Sequence, residues 1–267
     1  MDEEDEALNF DYKEMFSLKG KRAAVIGGSG VLGGVFAHAL AGAGARVAVV
    51  GRTHEKVEQA VTGLKKAGAE AVGVTADVSK RSEVEKACRI VTGAFGGVDI
   101  VVNAPGVNSS TPFFEITDEE WDRIISINLK SMFLSGQIFG KQMIDQGQGG
   151  CIINISSVSS GPPLSRVFTY SVSKAGVNNL TQWLAREFAP HGIRVNAIIP
   201  GFFPAEQNRK ILSPERVESI IRHTPMGRLG NPEELAGTII WLASEKAAGF
   251  VTGALIAVDG GFTAMTI

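Results

Sequence analysis

The chain has 267 residues, 44% of them hydrophobic, and its 26 Lys+Arg against 28 Asp+Glu leave a net charge of −2. That length and apolar content predict one sizeable core in one domain, and the absence of a basic cluster excludes nucleic acid as a partner. No apolar run reaches the ~18 residues that span a bilayer, and Met1 to Glu6 is acidic with no apolar core before Phe16, so neither a membrane nor a signal peptide is expected.

A cytoplasmic protein is therefore expected, with residues 1–17 as a polar arm ordered against a neighbouring subunit and residues 18–267 as the folded domain. From Arg22 onward, short apolar runs alternate with amphipathic stretches. Strands are predicted over 22–26, 46–50, 71–75, 100–102, 151–155, 194–199 and 255–258, and helices over 33–43, 54–66, 82–95, 118–145, 168–188 and 232–243. This alternation implies an α/β fold: a single-domain, doubly wound parallel sheet of about seven strands with helices on both faces, rather than a closed barrel. Thr117 and Glu120 form a predicted capping box, and Ser213-Pro214 and Asn231-Pro232 each put a capping residue before a proline at the first helical position. Cys88 and Cys151 lie in apolar segments without metal-ligand neighbours, so they read as buried hydrophobes in a reducing compartment, and no metal is expected.

The segment Gly27-Gly28-Ser29-Gly30-Val31-Leu32-Gly33 follows the first strand and opens the first helix. Glycines there permit a tight turn and let backbone N–H groups approach a pyrophosphate at a helix N-terminus. At the end of the second strand, Gly51-Arg52 offers no acid to the adenine ribose and presents a guanidinium that suits a 2′-phosphate. NADP(H) is thus preferred as cofactor and NAD(H) is admitted; a solvated Arg52 at a loop start is an equally ordinary reading of that residue. In Tyr170-Ser171-Val172-Ser173-Lys174 the spacing of four sets phenol and ammonium on one helix face, where the cation pulls the tyrosine pKa toward working pH. Asn154-Ile155-Ser156-Ser157 closes a strand thirteen residues earlier, at the carboxyl edge where open sheets hold ligands.

Together the glycine turn, Asp77, Asn103-Ala104-Pro105-Gly106, Asn128, Ser157, Tyr170, Lys174 and Pro200-Gly201 resemble the ordered signature of the short-chain dehydrogenase/reductase family, over about residues 18–263. The resemblance implies a Rossmann-type fold and an NAD(P)-dependent oxidoreductase working between an alcohol and a ketone. It implies Tyr170 as acid/base, Lys174 as pKa tuner and nicotinamide-ribose ligand, Ser157 as the residue orienting the reacting oxygen, and Asn128 as holder of a proton-relay water. It further implies a cofactor bed of Gly27, Ser29, Gly30, Val31, Leu32, Gly33, Arg52, Asp77, Val78, Asn103, Ala104, Gly106, Tyr170, Lys174, Pro200, Gly201 and Phe203, with Asn103 also steadying the central strands. Departures from the family pattern are Ile26 and Val31 in the glycine motif, Pro105 in place of the second asparagine, and Ala205 where a threonine is usual.

Segments near the end, among them Gly201-Phe202-Phe203, His223-Thr224-Pro225-Met226-Gly227-Arg228 and Val258-Asp259-Gly260-Gly261-Phe262, resemble the D-mannonate oxidoreductase (fructuronate reductase) and gluconate dehydrogenase branch. A small-molecule substrate carrying a carboxylate follows, with Arg166, Phe202 and Arg209 as candidate contacts and the segment after Pro200-Gly201 as a lid. Relatives of this kind imply a homotetramer or homodimer. Two other classes are carried as alternatives: a non-catalytic NAD(P)-binding sensor or scaffold subunit, and an epimerase or dehydratase that uses the nicotinamide transiently.

Overall fold

A strand covered on both faces has no side that needs polar residues, which is why the central strands read as unbroken apolar runs. In the computed structural model, which describes residues 11–162, 164–204 and 213–265, the strands are β1 (Arg22–Ile26), β2 (Arg46–Gly51), β3 (Ala71–Thr75), β4 (Ile100–Asn103), β5 (Gly150–Ile155), β6 (Ile193–Pro200) and β7 (Leu255–Val258). All pair in parallel, in the order β3-β2-β1-β4-β5-β6-β7. The helices are α1 (Tyr12–Met15), α2 (Val31–Gly42), α3 (His54–Lys66), α4 (Arg81–Phe95), α5 (Asp118–Ile125), α6 (Ser131–Gln146), α7 (Phe168–Phe188), α8 (Pro214–His223), α9 (Ala236–Ala243) and α10 (Glu245–Ala248).

Because strand side chains alternate between faces, Ala23 and Val25 join one core with Phe36, Leu40, Leu64 and Ile239, while Ala24 and Ile26 join the other with Phe95, Phe139 and Met143. The sheet is thus sandwiched as expected. Its order reverses between β1 and β4, and the carboxyl ends splay there into a crevice.

Four local features differ from the sequence expectations. The helix expected over 118–145 is interrupted by a π-helical turn at Ser126–Lys130, between α5 and α6. Thr117 caps α5 by accepting from the Glu120 N–H at 3.2 Å, but Glu120 does not reach back to complete the box. It accepts instead from Ser109 Oγ at 2.6 Å and Thr111 Oγ1 at 2.7 Å, tying down the loop after β4. The expected helix over 232–243 begins as a 3-10 turn before α9, while the helix start read at Ser213-Pro214 opens α8 as expected. Finally, the end of the N-terminal arm docks on its own chain: α1 meets α10, with Ser244 Oγ donating to Met15 O at 2.5 Å and Lys246 3.5 Å from Glu14.

Candidate active site

The crevice holds a cavity of about 530 Å³ that runs from the glycine turn, across the ends of β1, β4 and β5, to α8. Its nucleotide end is built from backbone. Gly27 sits at φ +79°, and a Cβ on Gly33 would overlap the Gly27 carbonyl, so no larger residue fits that close turn. Gly30 caps α2 without a side chain, leaving the first N–H groups of the helix to face a ligand. Gly51 at the end of β2 is packed as tightly, since a Cβ there would overlap Ser29 Oγ and come 2.9 Å from Val57 Cγ2. Beyond it Arg52 and Lys56 line the same wall, both exposed, and no ion pair engages either among the described residues. Asp77 is held locally, accepting from Ser79 Oγ at 2.7 Å and Ser79 N at 3.1 Å, and these bonds lower its pKa.

At the middle of the cavity, the end of β5 and the start of α7 bring Ser157, Tyr170 and Lys174 together. Lys174 is 3% exposed and donates from Nζ to Ile155 O at 2.7 Å, and burial lowers its pKa to about 7. Its ammonium lies 5.6 Å from the centre of the Tyr170 ring. The expected lowering of the tyrosine pKa is not what this geometry gives. Burial raises Tyr170, and the hydrogen bond with Ser157 only partly offsets that. The two neighbouring serines divide: Ser156 is buried and donates to Lys174 O at 3.2 Å, whereas Ser157 sits in extended backbone and turns its hydroxyl to Ser159 and Tyr170.

Two expected site residues stand behind the cavity wall rather than on it. Asn128 is fully buried in the π-helical turn, where one extra residue per turn swings its side chain inward. Its Oδ1 accepts from Val107 N at 2.8 Å, and its Nδ2 donates to Val107 O at 2.9 Å and Ser173 Oγ at 3.0 Å. Both Asn128 Oδ1 and Lys174 Nζ lie within 4.0 Å of the point a Cβ of Gly106 would occupy. Asn103 likewise faces the interior: its Nδ2 donates to Asn154 Oδ1 at 2.8 Å, Asn154 Nδ2 donates to Thr181 Oγ1 at 2.9 Å, and the chain of bonds pins β4, β5 and α7 together. It is therefore a brace under the cleft and not a wall of the cofactor bed. Arg209 and Ala205 lie outside the described residues. Every other expected residue lines the cavity: Gly27, Ser29, Gly30, Val31, Leu32, Gly33, Arg52, Asp77, Val78, Ala104, Gly106, Arg166, Pro200, Gly201, Phe202 and Phe203 join the three central groups.

Sequence reasoning missed Lys56 and Arg216. The first had a signal, being four residues beyond Arg52 in the opening turn of α3. Arg216 had a weaker one, the Ser213-Pro214 cap that places it in the first turn of α8.

A doubly wound sheet with a glycine cradle at one end of its crevice and a Ser–Tyr–Lys cluster further along defines a nicotinamide-dependent oxidoreductase. Comparison with known proteins agrees. Residues 29–263 match a family model described as enoyl-(acyl carrier protein) reductase. A gluconate 5-dehydrogenase of Gluconobacter oxydans (strain 621H) is 34% identical over 94% of this chain and 98% of its own length. A 3beta-hydroxysteroid dehydrogenase 1 of Eggerthella lenta is 40% identical over 92% of this chain and 95% of its own. The crystal structure of a gluconate 5-dehydrogenase from Burkholderia cenocepacia J2315 in complex with NADP and tartrate superposes with a TM-score of 0.91, at 32% identity, covering 95% of this chain and 99% of that one. The chain belongs to the short-chain dehydrogenase/reductase family and is an oxidoreductase acting on CH–OH groups.

Proposed function

We propose that the protein interconverts a secondary alcohol and a ketone on a sugar acid, with NADP(H) preferred over NAD(H). One observation carries the reading. Among the described residues, five cations (Arg52, Lys56, Arg166, Lys174 and Arg216) but only one carboxylate, Asp77, line the cavity, so its ligands are anionic. Arg52 and Lys56 suit a 2′-phosphate, and Gly51 leaves no acid to repel one. The gluconate 5-dehydrogenase relatives support a sugar acid as substrate. The tail segments support the narrower D-mannonate/D-fructuronate-like pair.

The close turn that Gly33 permits, with the first N–H groups of α2 left uncapped by a side chain, fits a pyrophosphate, and Gly27, Ser29, Gly30 and Leu32 would hold it, with Asp77 and Val78 toward the adenine. When bound, the nicotinamide supplies or accepts the hydride. In the reducing direction Tyr170 Oη gives its proton to the carbonyl oxygen; in the oxidising direction it takes the hydroxyl proton back. Ser157 Oγ fixes that oxygen beside Tyr170. Lys174 places its ammonium by the phenol ring, anchored on Ile155 O, and Asn128 fixes the Val107 backbone on the cavity wall. Residues 18–267 act as one catalytic domain in the cytoplasm, and no described helix is long and apolar enough to cross a membrane. The exposed Phe133 on α6 and Val172 and Trp183 on α7 support a homodimer or homotetramer.

The test is oxidation and reduction of a panel of hexonates and keto-hexonates with both cofactors, in wild type and Tyr170→Phe. Tyr170→Phe lowers turnover by about 10²- to 10⁴-fold and leaves NADPH affinity within about twofold. A Tyr170→Phe enzyme with near wild-type turnover removes Tyr170 from the chemistry.

A further inference from the structure

We propose that Arg216, reaching in from the first turn of α8, is the anchor for the substrate carboxylate, with Arg166 as the opposing jaw. The inference rests on the sugar-acid reading and names the residues that carry it. Of the five cavity cations, Arg52 and Lys56 sit at the nucleotide end and Lys174 is committed to Ile155 O. The remaining two come from the loop that leads into α7 and from the first turn of α8, and line the same cavity as Ser157 and Tyr170.

Arg216 lines the cavity without being spent on a carboxylate. Arg22, Arg46, Arg222 and Arg228 each pair with a carboxylate. The half-buried Arg216 instead donates to Ser165 Oγ at 2.6 Å and to Ser165 O at 3.1 Å, both neutral acceptors, and no acid among the described residues pairs with it. Among the described residues two of its five N–H donors are used, which leaves a fork for a pair of oxygens. Its grip also shapes the facing wall. Arg166, next to Ser165, has φ +68° and is the one non-glycine residue with positive φ among those described. An L-residue holds that conformation only where its surroundings impose it, and such outliers gather at ligand clamps. The loop before α7 and the first turn of α8 are thus joined across the cleft, each offering a guanidinium to the same volume. A carboxylate, with two oxygens in one plane, is the ligand that such a fork matches.

The experiment compares hexonates with the alditols of the same configuration, using NADP⁺, in wild type, Arg216→Ala, Arg216→Lys and Arg166→Ala, with NADPH affinity and Tm measured alongside. Wild type prefers the acid. Arg216→Ala raises KM for the acid about 10- to 150-fold, the scale of a charged hydrogen bond, far beyond the change in KM for the alditol, while NADPH affinity holds. Arg166→Ala gives a smaller rise. Arg216→Lys keeps stem and charge but loses the fork, so it raises KM severalfold and keeps the test decisive where the alanine variant fails to fold. If Arg216→Ala and Arg216→Lys retain the full acid preference, the anchor is overturned and the sugar-acid reading stands. If wild type treats acid and alditol alike, or prefers a phosphorylated polyol, both fall.

Discussion

Gly51→Ala is a one-carbon perturbation whose sign is set by the packing of β2 against the glycine turn. In an open site the change would stabilise the protein by about 0.4–1 kcal/mol, through the lower entropy of the unfolded chain. Here the new methyl would overlap Ser29 Oγ and lie 2.9 Å from Val57 Cγ2, in a wall where Val57 is fully buried. The serine hydroxyl can rotate away, but its Cβ stays 3.3 Å from the new carbon, and the valine is β-branched and enclosed. Overpacking of this kind costs about 1–3 kcal/mol, so the net effect is a loss of roughly 1–2 kcal/mol, or about 2–8 °C in Tm for a chain of this size. Thermal melts of the cofactor-free protein measure it, with calorimetric titration of NADPH beside them. Adding Ser29→Gly removes the closer obstacle and recovers about 1 kcal/mol in the Gly51→Ala background that it does not contribute alone. A Gly51→Ala protein melting at or above wild type would refute the reasoning. The same collision means that Gly51→Asp, made to favour NAD(H), weakens the turn before it reads any ribose.

Two more predictions follow from buried polar groups. Lys174 titrates at about 7 in the fold against 10.5 unfolded, so its burial penalty is full below pH 7 and fades as pH rises to 10.5. Lys174→Met accordingly raises the Tm of the cofactor-free protein most near pH 6, and the gain shrinks toward pH 10; a gain independent of pH disproves the assignment. Asn128→Asp keeps the acceptor for Val107 N but cannot donate to Val107 O or Ser173 Oγ. It destabilises by roughly 3 kcal/mol, and the loss deepens as pH rises and the new buried carboxyl ionises, which urea melts at pH 5 and 8 would measure.

Local spacing made the chemistry of the centre legible, because Tyr170 and Lys174 share one helix and Ser157 ends the strand beside it. The strands were equally readable, since burial on both faces leaves an unbroken apolar run in β1, β2 and β4. What could not be read depends on contacts between distant segments. The resemblance implies Asn103 as a residue steadying the central strands, but its partner Asn154 is set by the pairing of β4 with β5 and not by local spacing. The π-helical turn leaves no mark in composition, and Asn128 was legible only through the family resemblance. Arg216 meets Ser165 across 51 positions, and its role emerges only when α8 folds over the loop. The pKa of Tyr170 went the other way from expectation because desolvation, a property of the whole fold, outweighs a neighbour four residues off.

The wide turn at Ser126–Lys130 makes residue number, as distinct from residue type, a constraint on this enzyme. Each residue of an α-helix rotates the chain by about 100°, so a single deletion there would restore regular winding and turn one flank against the other. Either Asn128 would leave Val107, or Phe139 and Met143 would leave the sheet. Substitution of an exposed position such as Lys130 disturbs neither. In any redesign or shortened variant, this helix pair accepts new side chains far more readily than it accepts a change of length.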